Sequence, residues 1–303
     1  MRYVVGYSAN ARGHDAVNLA VAMARGRGAS LDLVLVVPEI QQFGAAHAPK
    51  AGFENLLNEQ ARQWLDEALA LVPADVPAQS HIRSGDSDAQ TLIEAAEELG
   101  ADVLVIGATS AGLFKRFTIG SVASALLHAS TVPVALAPHG YYRQEALTRI
   151  SCGLGTRAGA EKLLDFAIGM AANRAVPLRV VSLLALDGGD STAAAAAREY
   201  AEKTVAAAAP VSPSGVQLAA QTEVVVAQGR SIEEAVDGLD WEDGEVLVIG
   251  SSRLAQGRSI FLGSTANRIL RALPVPMLVV PSGYELKHQN HPTSNDTSGE
   301  APQ

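Results

Sequence analysis

The sequence has only one cysteine, few aromatic residues and no long hydrophobic run. A single cysteine, Cys152, excludes a disulfide framework within the chain and is typical of a reducing compartment. Aromatic residues make up 5% of the 303 residues, so aliphatic side chains and alanine must fill the core, which favours buried parallel strands covered by helices. Apolar stretches such as residues 31–38 end after one strand length, well short of the roughly 18 residues that a membrane-spanning helix needs.

Basic residues are also in the minority. The chain has 23 lysines and arginines against 32 aspartates and glutamates, which gives a net charge of −9. A surface that binds nucleic acid or an anionic membrane needs a basic field, so we expect neither partner. The N-terminal residues become charged too early to form a secretory signal peptide. We therefore expect a cytoplasmic protein.

The sequence lacks the common catalytic and cofactor motifs. It contains no G-x-x-x-x-G-K-[ST], no G-x-S-x-G and no G-x-G-x-x-G. Residues 153–159, GLGTRAG, come closest to the dinucleotide motif, but the last gap is one residue too wide. His288 and His291 are the closest histidine pair and lie in a polar tail, so we expect no metal site. Cys152 falls in a predicted buried strand, where an inert thiol is expected.

An internal repeat relates the two halves of the chain. Five landmarks recur at offsets of 143 to 147 residues. They are VLVIG at 103–107 and 246–250, Gly120-Ser121 and Gly263-Ser264, Val132-Pro133-Val134 and Val275-Pro276-Met277, Gly85 and Gly229, and VVGYS at 4–8 with SCGLG at 151–155. A period of this length is too long for a solenoid, so each repeat is expected to be a domain.

Each repeat alternates apolar strands with amphipathic helices in the order β-α-β-α-β-α-β-α-β. This pattern predicts an α/β fold of the Rossmann-like kind, with a five-stranded parallel sheet, four helices and right-handed crossovers in each repeat. The predicted boundaries are residues 1–140 for the first repeat, 141–148 for a linker, 149–283 for the second repeat and 284–303 for a disordered polar tail.

A small-residue loop follows the fourth strand of each repeat, at the edge of the sheet where open α/β folds bind ligands. The corresponding loop residues are Gly107, Ser110, Gly120 and Ser121 in the first repeat and Gly250, Arg253, Gly263 and Ser264 in the second. Glycine lets the backbone approach an anion, and a serine at a helix start adds free N–H groups, a positive dipole end and a hydroxyl. A Gly-Ser pair is also an ordinary helix cap, so the motif alone leaves both interpretations open.

Taken together, these motifs resemble the universal stress protein family. The resemblance lies in Gly-x2-Gly-x9-Gly-Ser after an apolar strand, followed by a helix and a Val-Pro-Val strand, and in the segment at 83–110. It covers about residues 1–140 and 147–283. It implies an adenine nucleotide alpha hydrolase-like fold with ATP or AMP as ligand, and Mg²⁺ with ATP. It also implies that the last strands, 132–138 and 275–281, pair as an intrachain pseudo-dimer, and it leaves further homodimerisation open.

The resemblance implies a nucleotide site in each repeat, chiefly in the first. The implied binding residues are Ser8, Val36, Ile106, Gly107, Ser110, Gly120, Ser121 and Val122 in the first repeat, and Gly250, Arg253, Gly263 and Ser264 in the second. The family's central loop glycine is replaced by Ser110 and Arg253, and its nucleoside-binding aspartate by Ser8 and Gly155. A neutral hydrogen bond from Ser8 would contribute about 0.5–1.5 kcal/mol, against about 1.5–3 kcal/mol for a charged one. Arg253 and Gly155 depart further from the family pattern than Ser110 and Ser8 do, so the first repeat is the better candidate for nucleotide binding.

Three cations, Arg12, Lys115 and Arg116, are expected near the loop of the first repeat. The simplest interpretation is a solvated loop surface, and the alternative is neutralisation of a phosphate. The leading functional hypothesis is a stress-response protein that binds ATP or AMP and presents a changed surface to an unknown protein partner. Catalysis would be slow ATP hydrolysis at most, because no general base is evident. The alternative is a nucleotide-independent scaffold or chaperone-like interaction protein with degenerate pockets, and an enzyme using a flavin or dinucleotide has only the fold in its favour.

Overall fold

The computed structural model describes residues 1–39, 51–110, 117–118, 120–155, 159–185, 191–208, 221–251, 260–282 and 284. Several residues considered above lie outside this part of the chain. They are Lys115, Arg116, Arg253, His288, His291 and the polar segment 285–303.

The first repeat contains helices α1 (Ala11–Ala24), α2 (Ala51–Ala70), α3 (Asp88–Glu98) and α4 (Ser121–Ala129). Its strands are β1 (Arg2–Tyr7), β2 (Ser30–Val37), β3 (Ala78–Ser84), β4 (Val103–Gly107), β5 (Thr109–Ser110), β6 (Phe117–Thr118) and β7 (Val134–Ala137). The second repeat contains helices α5 (Ala160–Ala172), α6 (Ser191–Ala207), α7 (Ile232–Asp237) and α8 (Ser264–Ala272). Its strands are β8 (Arg149–Gly153), β9 (Leu178–Ala185), β10 (Glu223–Gly229), β11 (Glu245–Gly250) and β12 (Met277–Val280).

The main strands form one ten-stranded sheet in the order β10-β9-β8-β11-β12-β7-β4-β1-β2-β3. Within each repeat the five strands are parallel, which confirms the predicted α/β fold class. At the centre, β7 pairs antiparallel with β12, with Leu136 opposite Met277 and Val134 opposite Val279. The implied pairing of the two last strands is therefore confirmed, and it covers one edge of each half-sheet.

A short antiparallel ribbon of β5 and β6 was not predicted. It pairs Thr109 with Thr118 and Ser110 with Phe117, on either side of the loop that follows β4. Two residues in each strand are too few to give an alternating hydrophobic pattern, so the sequence carries no signal for this ribbon.

The hydrophobic core lies in two layers, one on each face of the sheet. Helices α1, α2, α5 and α6 contribute to one layer, and α3, α4, α7 and α8 contribute to the other. Both layers contain buried residues of both repeats, for example Tyr3 with Ile150 and Leu136 with Met277. The two repeats therefore share a continuous core.

The segment between the repeats is held against the first repeat. The Asn18 side chain donates to the carbonyl oxygen of Tyr141 at 2.9 Å, and the Arg25 guanidinium donates to that of Gln144 at 2.7 Å. The Gln144 side chain in turn donates to the carbonyl oxygen of Leu71 at 3.0 Å. These bonds fix the linker across the ends of α1 and α2.

Hydrogen bonds from the second repeat also reach the first. The backbone N–H groups of Ile260 and Leu262 donate to the carbonyl oxygens of Ser130 and Leu127, at the C-terminal end of α4. The Tyr284 hydroxyl donates to the carbonyl oxygen of Asp102 at 3.1 Å. None of the helices in the described part of the chain is long and apolar enough to cross a membrane.

Candidate functional site

A cavity of about 130 Å³ lies at the carboxyl ends of the strands in the first repeat. Strands β1 and β4 are neighbours there although they are not consecutive in the repeat, which makes this the switch point of the sheet. Six of the residues implied for the first repeat line the cavity: Ser8, Val36, Ile106, Gly107, Gly120 and Val122. Ser121 is exposed at the first position of α4, and Ser110 lies in β5.

Helix α4 begins at the cavity without a side-chain cap. Gly120 occupies the N-cap position with φ −71° and ψ 169°. The first helical hydrogen bond runs from the Ser124 N–H to the Gly120 carbonyl oxygen at 2.9 Å, so the N–H groups of the first turn precede it. Such a helix start offers N–H donors and the positive end of the helix dipole to an anion.

The end of β1 presents neutral oxygen atoms to the cavity. The Ser8 hydroxyl donates to Oδ1 of Asn10 at 3.1 Å, and the same oxygen accepts the Arg12 N–H at 3.0 Å. Asn10 is therefore the N-cap of α1. Sequence reasoning missed Asn10, although an asparagine directly before an Ala-rich helix is a recognisable N-cap signal.

Two loop glycines both contact Arg12. A Cβ atom added to Gly107 would lie 2.1 Å from the Arg12 carbonyl oxygen, so this glycine makes room for the first turn of α1. A Cβ atom added to Gly120 would lie 3.8 Å from Nη1 of Arg12 and 3.1 Å from Cγ2 of Thr109. Gly107 was predicted to let the backbone approach an anion, whereas the atom nearest to its Cβ position in the structure is the carbonyl oxygen of Arg12.

Two titratable groups near the start of α1, Asp15 and Tyr7, are buried and have raised pKa values. Burial raises the pKa of Asp15, whose Oδ2 accepts the Gly140 N–H at 2.9 Å and lies 3.7 Å from Nδ1 of His139. Burial also raises the pKa of Tyr7, which lines the cavity and stacks on His14 with ring centroids 6.4 Å apart. These contacts tie the turn after β7 to the helix that borders the cavity.

The second repeat keeps the helix start but changes its surroundings. Gly263 caps α8 with φ −70° and ψ 168°, almost the same angles as Gly120, and Ser264 is exposed beside it. At the end of β11, a Cβ atom added to Gly250 would meet Cδ2 of Leu163 at 3.5 Å instead of a backbone oxygen. Gly159 is the N-cap of α5, the position that Asn10 holds in α1, and it provides no side-chain cap.

A family model of the universal stress protein family matches residues 1–138 and 147–281. The chain belongs to the universal stress protein family. A universal stress protein of Mycobacterium tuberculosis is 32% identical over 302 residues, which cover 93% of this chain and 100% of that protein. One from Mycolicibacterium smegmatis is 25% identical over 290 residues, covering 91% and 96% respectively. The solved structure of a universal stress protein from Archaeoglobus fulgidus superposes with a TM-score of 0.69 at 18% identity, covering 93% of this chain and 98% of that one, and so shares the fold.

The described residues of this universal stress protein contain no group of three or more side chains that could hold a metal ion. Cys152 is fully buried in β8, and burial raises the pKa of its thiol to about 12. A thiol in that environment is neither a nucleophile nor a metal ligand at neutral pH.

Proposed function

We propose that this universal stress protein is a stress-response binding protein whose first repeat takes one adenine nucleotide, ATP or AMP. The observation that supports the proposal is the cavity at the switch point of the first half-sheet, which is lined by six of the residues implied for binding. Ser8 converges on one cavity with the loop glycines Gly107 and Gly120, which are about a hundred residues away in sequence, as a binding site requires.

The lining divides the proposed site into two ends. Val36, Ile106 and Val122 supply apolar surface suited to a purine ring, and Ser8 supplies a neutral hydrogen-bonding oxygen beside them. The uncapped start of α4 at Gly120 suits a phosphate. Mg²⁺ would accompany ATP and bind mainly through the phosphate oxygens.

Helix α4 offers a route by which nucleotide binding in the cavity could change the surface that a protein partner contacts. Helix α4 begins at the cavity and ends where the backbone of Ile260 and Leu262 donates to it from the second repeat. A ligand that fixes the start of α4 therefore acts on an element shared by both repeats. We propose a signalling role in the cytoplasm, with slow hydrolysis at most, and the acidic charge and single cysteine support that compartment.

Titration calorimetry with AMP and ATP tests the proposal, using two matched variants. Gly120 and Gly263 cap their helices with nearly identical angles, so Gly120→Val and Gly263→Val place the same side chain at equivalent positions. We expect Gly120→Val to abolish binding, because a Cβ atom there already lies 3.1 Å from Thr109 and the added methyl groups enter the cavity. Gly263→Val should bind as the wild type does. No heat from the wild type at millimolar nucleotide, or equal loss from both variants, contradicts the proposal.

A nucleotide-independent scaffold is the second candidate. The observation that favours it is that neither β1 nor β8, the first strand of each repeat, is followed by a carboxylate. Ser8 follows β1 and already donates to Asn10, and Gly155 stands at the corresponding position after β8. The same titration separates the two functions, because a scaffold gives no heat with any variant. Further association into a homodimer is a separate proposal, which light scattering of the purified protein tests.

A further inference from the structure

We propose that Arg12 is the phosphate-recognising residue of the first repeat and that it makes the site select phosphorylated nucleosides over bare ones. This inference rests on the proposed function and adds to it the residue that determines ligand class. Arg12 lies outside the loop motif, but its side chain reaches the start of α4 at the cavity.

The backbone of Arg12 is fixed at the border of the cavity. Its N–H donates to Oδ1 of Asn10 at 3.0 Å, and its carbonyl oxygen packs where a Cβ atom of Gly107 would lie only 2.1 Å away. The side chain reaches the start of α4. Its Nη1 atom lies 3.8 Å from the position of a Cβ atom on Gly120, and the residue lines the cavity.

The electrostatics of this position call for an anion. The guanidinium lies beside the N-terminus of α4, so a full positive charge faces the positive end of a helix dipole. Arg25 and Arg268 each hold a carboxylate, Asp75 at 2.8 Å and Glu233 at 2.7 Å. Arg12, by contrast, forms no ion pair with any carboxylate in the described ranges of the chain, and the one acidic residue among those that line its cavity, Asp88, is exposed at the start of α3. An anion placed between the guanidinium and the helix start would be attracted by both.

A phosphate group fits these donors better than a carboxylate does. The planar guanidinium can bond two phosphate oxygens at once, while the N–H groups of the first turn of α4 reach a third. Ser8 offers only a neutral oxygen at the nucleoside end, whereas the guanidinium offers charge-assisted hydrogen bonds to a phosphate, so loss of the phosphate removes the stronger polar contact. The site should therefore discriminate strongly between AMP and adenosine.

The test compares AMP and adenosine as ligands of the full-length protein and three variants. Arg12→Gln removes the positive charge. Arg12→Lys keeps the charge but loses the planar guanidinium that can donate two parallel hydrogen bonds to one phosphate. Arg230→Gln is the control, because Arg230 is 85% exposed, pairs with Glu234 in the second repeat and changes the net charge equally. We expect Arg12→Gln to weaken AMP binding about tenfold to a hundredfold and to leave adenosine binding within about twofold. Arg12→Lys should fall between, and Arg230→Gln should match the wild type.

The possible contrary results separate a failure of the Arg12 role from a failure of nucleotide binding. If the wild type binds AMP and Arg12→Gln binds it equally well, the role of Arg12 is refuted while the proposed function stands. If Arg12→Gln weakens AMP and adenosine by the same factor, phosphate recognition is also refuted. If the wild type binds no adenine nucleotide, the proposed function fails and this inference fails with it. Arg12 is exposed, so we expect thermal unfolding of both Arg12 variants to match the wild type.

Discussion

Replacing Gly107 with alanine tests how the first repeat forms its cavity. The added Cβ atom would lie 2.1 Å from the carbonyl oxygen of Arg12 and 2.8 Å from its carbonyl carbon. Both atoms belong to the backbone, so the first turn of α1 must move to make room. Overpacking of this kind typically costs about 1–3 kcal/mol of unfolding free energy.

Gly250 is the matched control for this substitution, because it ends β11 as Gly107 ends β4. A Cβ atom on Gly250 meets only the side chain of Leu163, at 3.5 Å from Cδ2 and 3.8 Å from Cδ1, and both are ordinary contacts. Alanine there also reduces the entropy of the unfolded chain, which stabilises by about 0.4–1 kcal/mol when the site accepts it. We expect Gly250→Ala to be neutral or slightly stabilising.

Urea unfolding followed by far-ultraviolet circular dichroism measures the two free energies. Gly107→Ala should lower the unfolding free energy by about 1–3 kcal/mol, and its AMP affinity should fall because Arg12 moves with α1. A Gly107→Ala protein as stable as the wild type would refute the close packing of Arg12 against β4. An equal loss of stability from Gly250→Ala would refute the difference between the repeats.

Two further predictions concern the second repeat. Because burial raises the pKa of the Cys152 thiol to about 12, the folded protein should not react with Ellman's reagent at pH 8, and one equivalent should react after unfolding in urea; rapid reaction of the folded protein would contradict its burial. Glu245 is fully buried and pairs with Arg149 and Arg179 at 2.6 Å each, so Glu245→Ala should cost about 3–5 kcal/mol in urea unfolding by leaving Arg179 buried without its anion. A loss below about 1 kcal/mol would show that the network is solvated.

Much of the architecture could be predicted from the repeat. Because VLVIG and the Val-Pro segments recur in register, the repeat predicts the same alternation of strands and helices in both halves. The central pairing of β7 with β12 was implied by the family resemblance and not by the repeat. Strand ends are also well determined, since a glycine closes both β4 and β11. The boundaries of the linker and of the polar tail stay predictions.

The chemistry of the site was less accessible from the sequence. A glycine motif does not tell whether a ligand or the protein's own backbone approaches the glycine, and at Gly107 the neighbour is Arg12. The reach of Arg12 to Gly120 joins residues over a hundred positions apart, so no local pattern reveals it. The linker was predicted as a simple connection because its bonds, such as Arg25 to Gln144, also depend on tertiary contacts.

Native mass spectrometry of the full-length protein with AMP or ATP counts the nucleotides bound to each chain. It therefore distinguishes a site in the first repeat alone, as we propose, from a site in both repeats or in neither. We expect one nucleotide per chain for the wild type and for Gly263→Val, and none for Gly120→Val. Two nucleotides per wild-type chain would contradict the difference between the repeats, and none at saturating concentration would contradict the binding function itself.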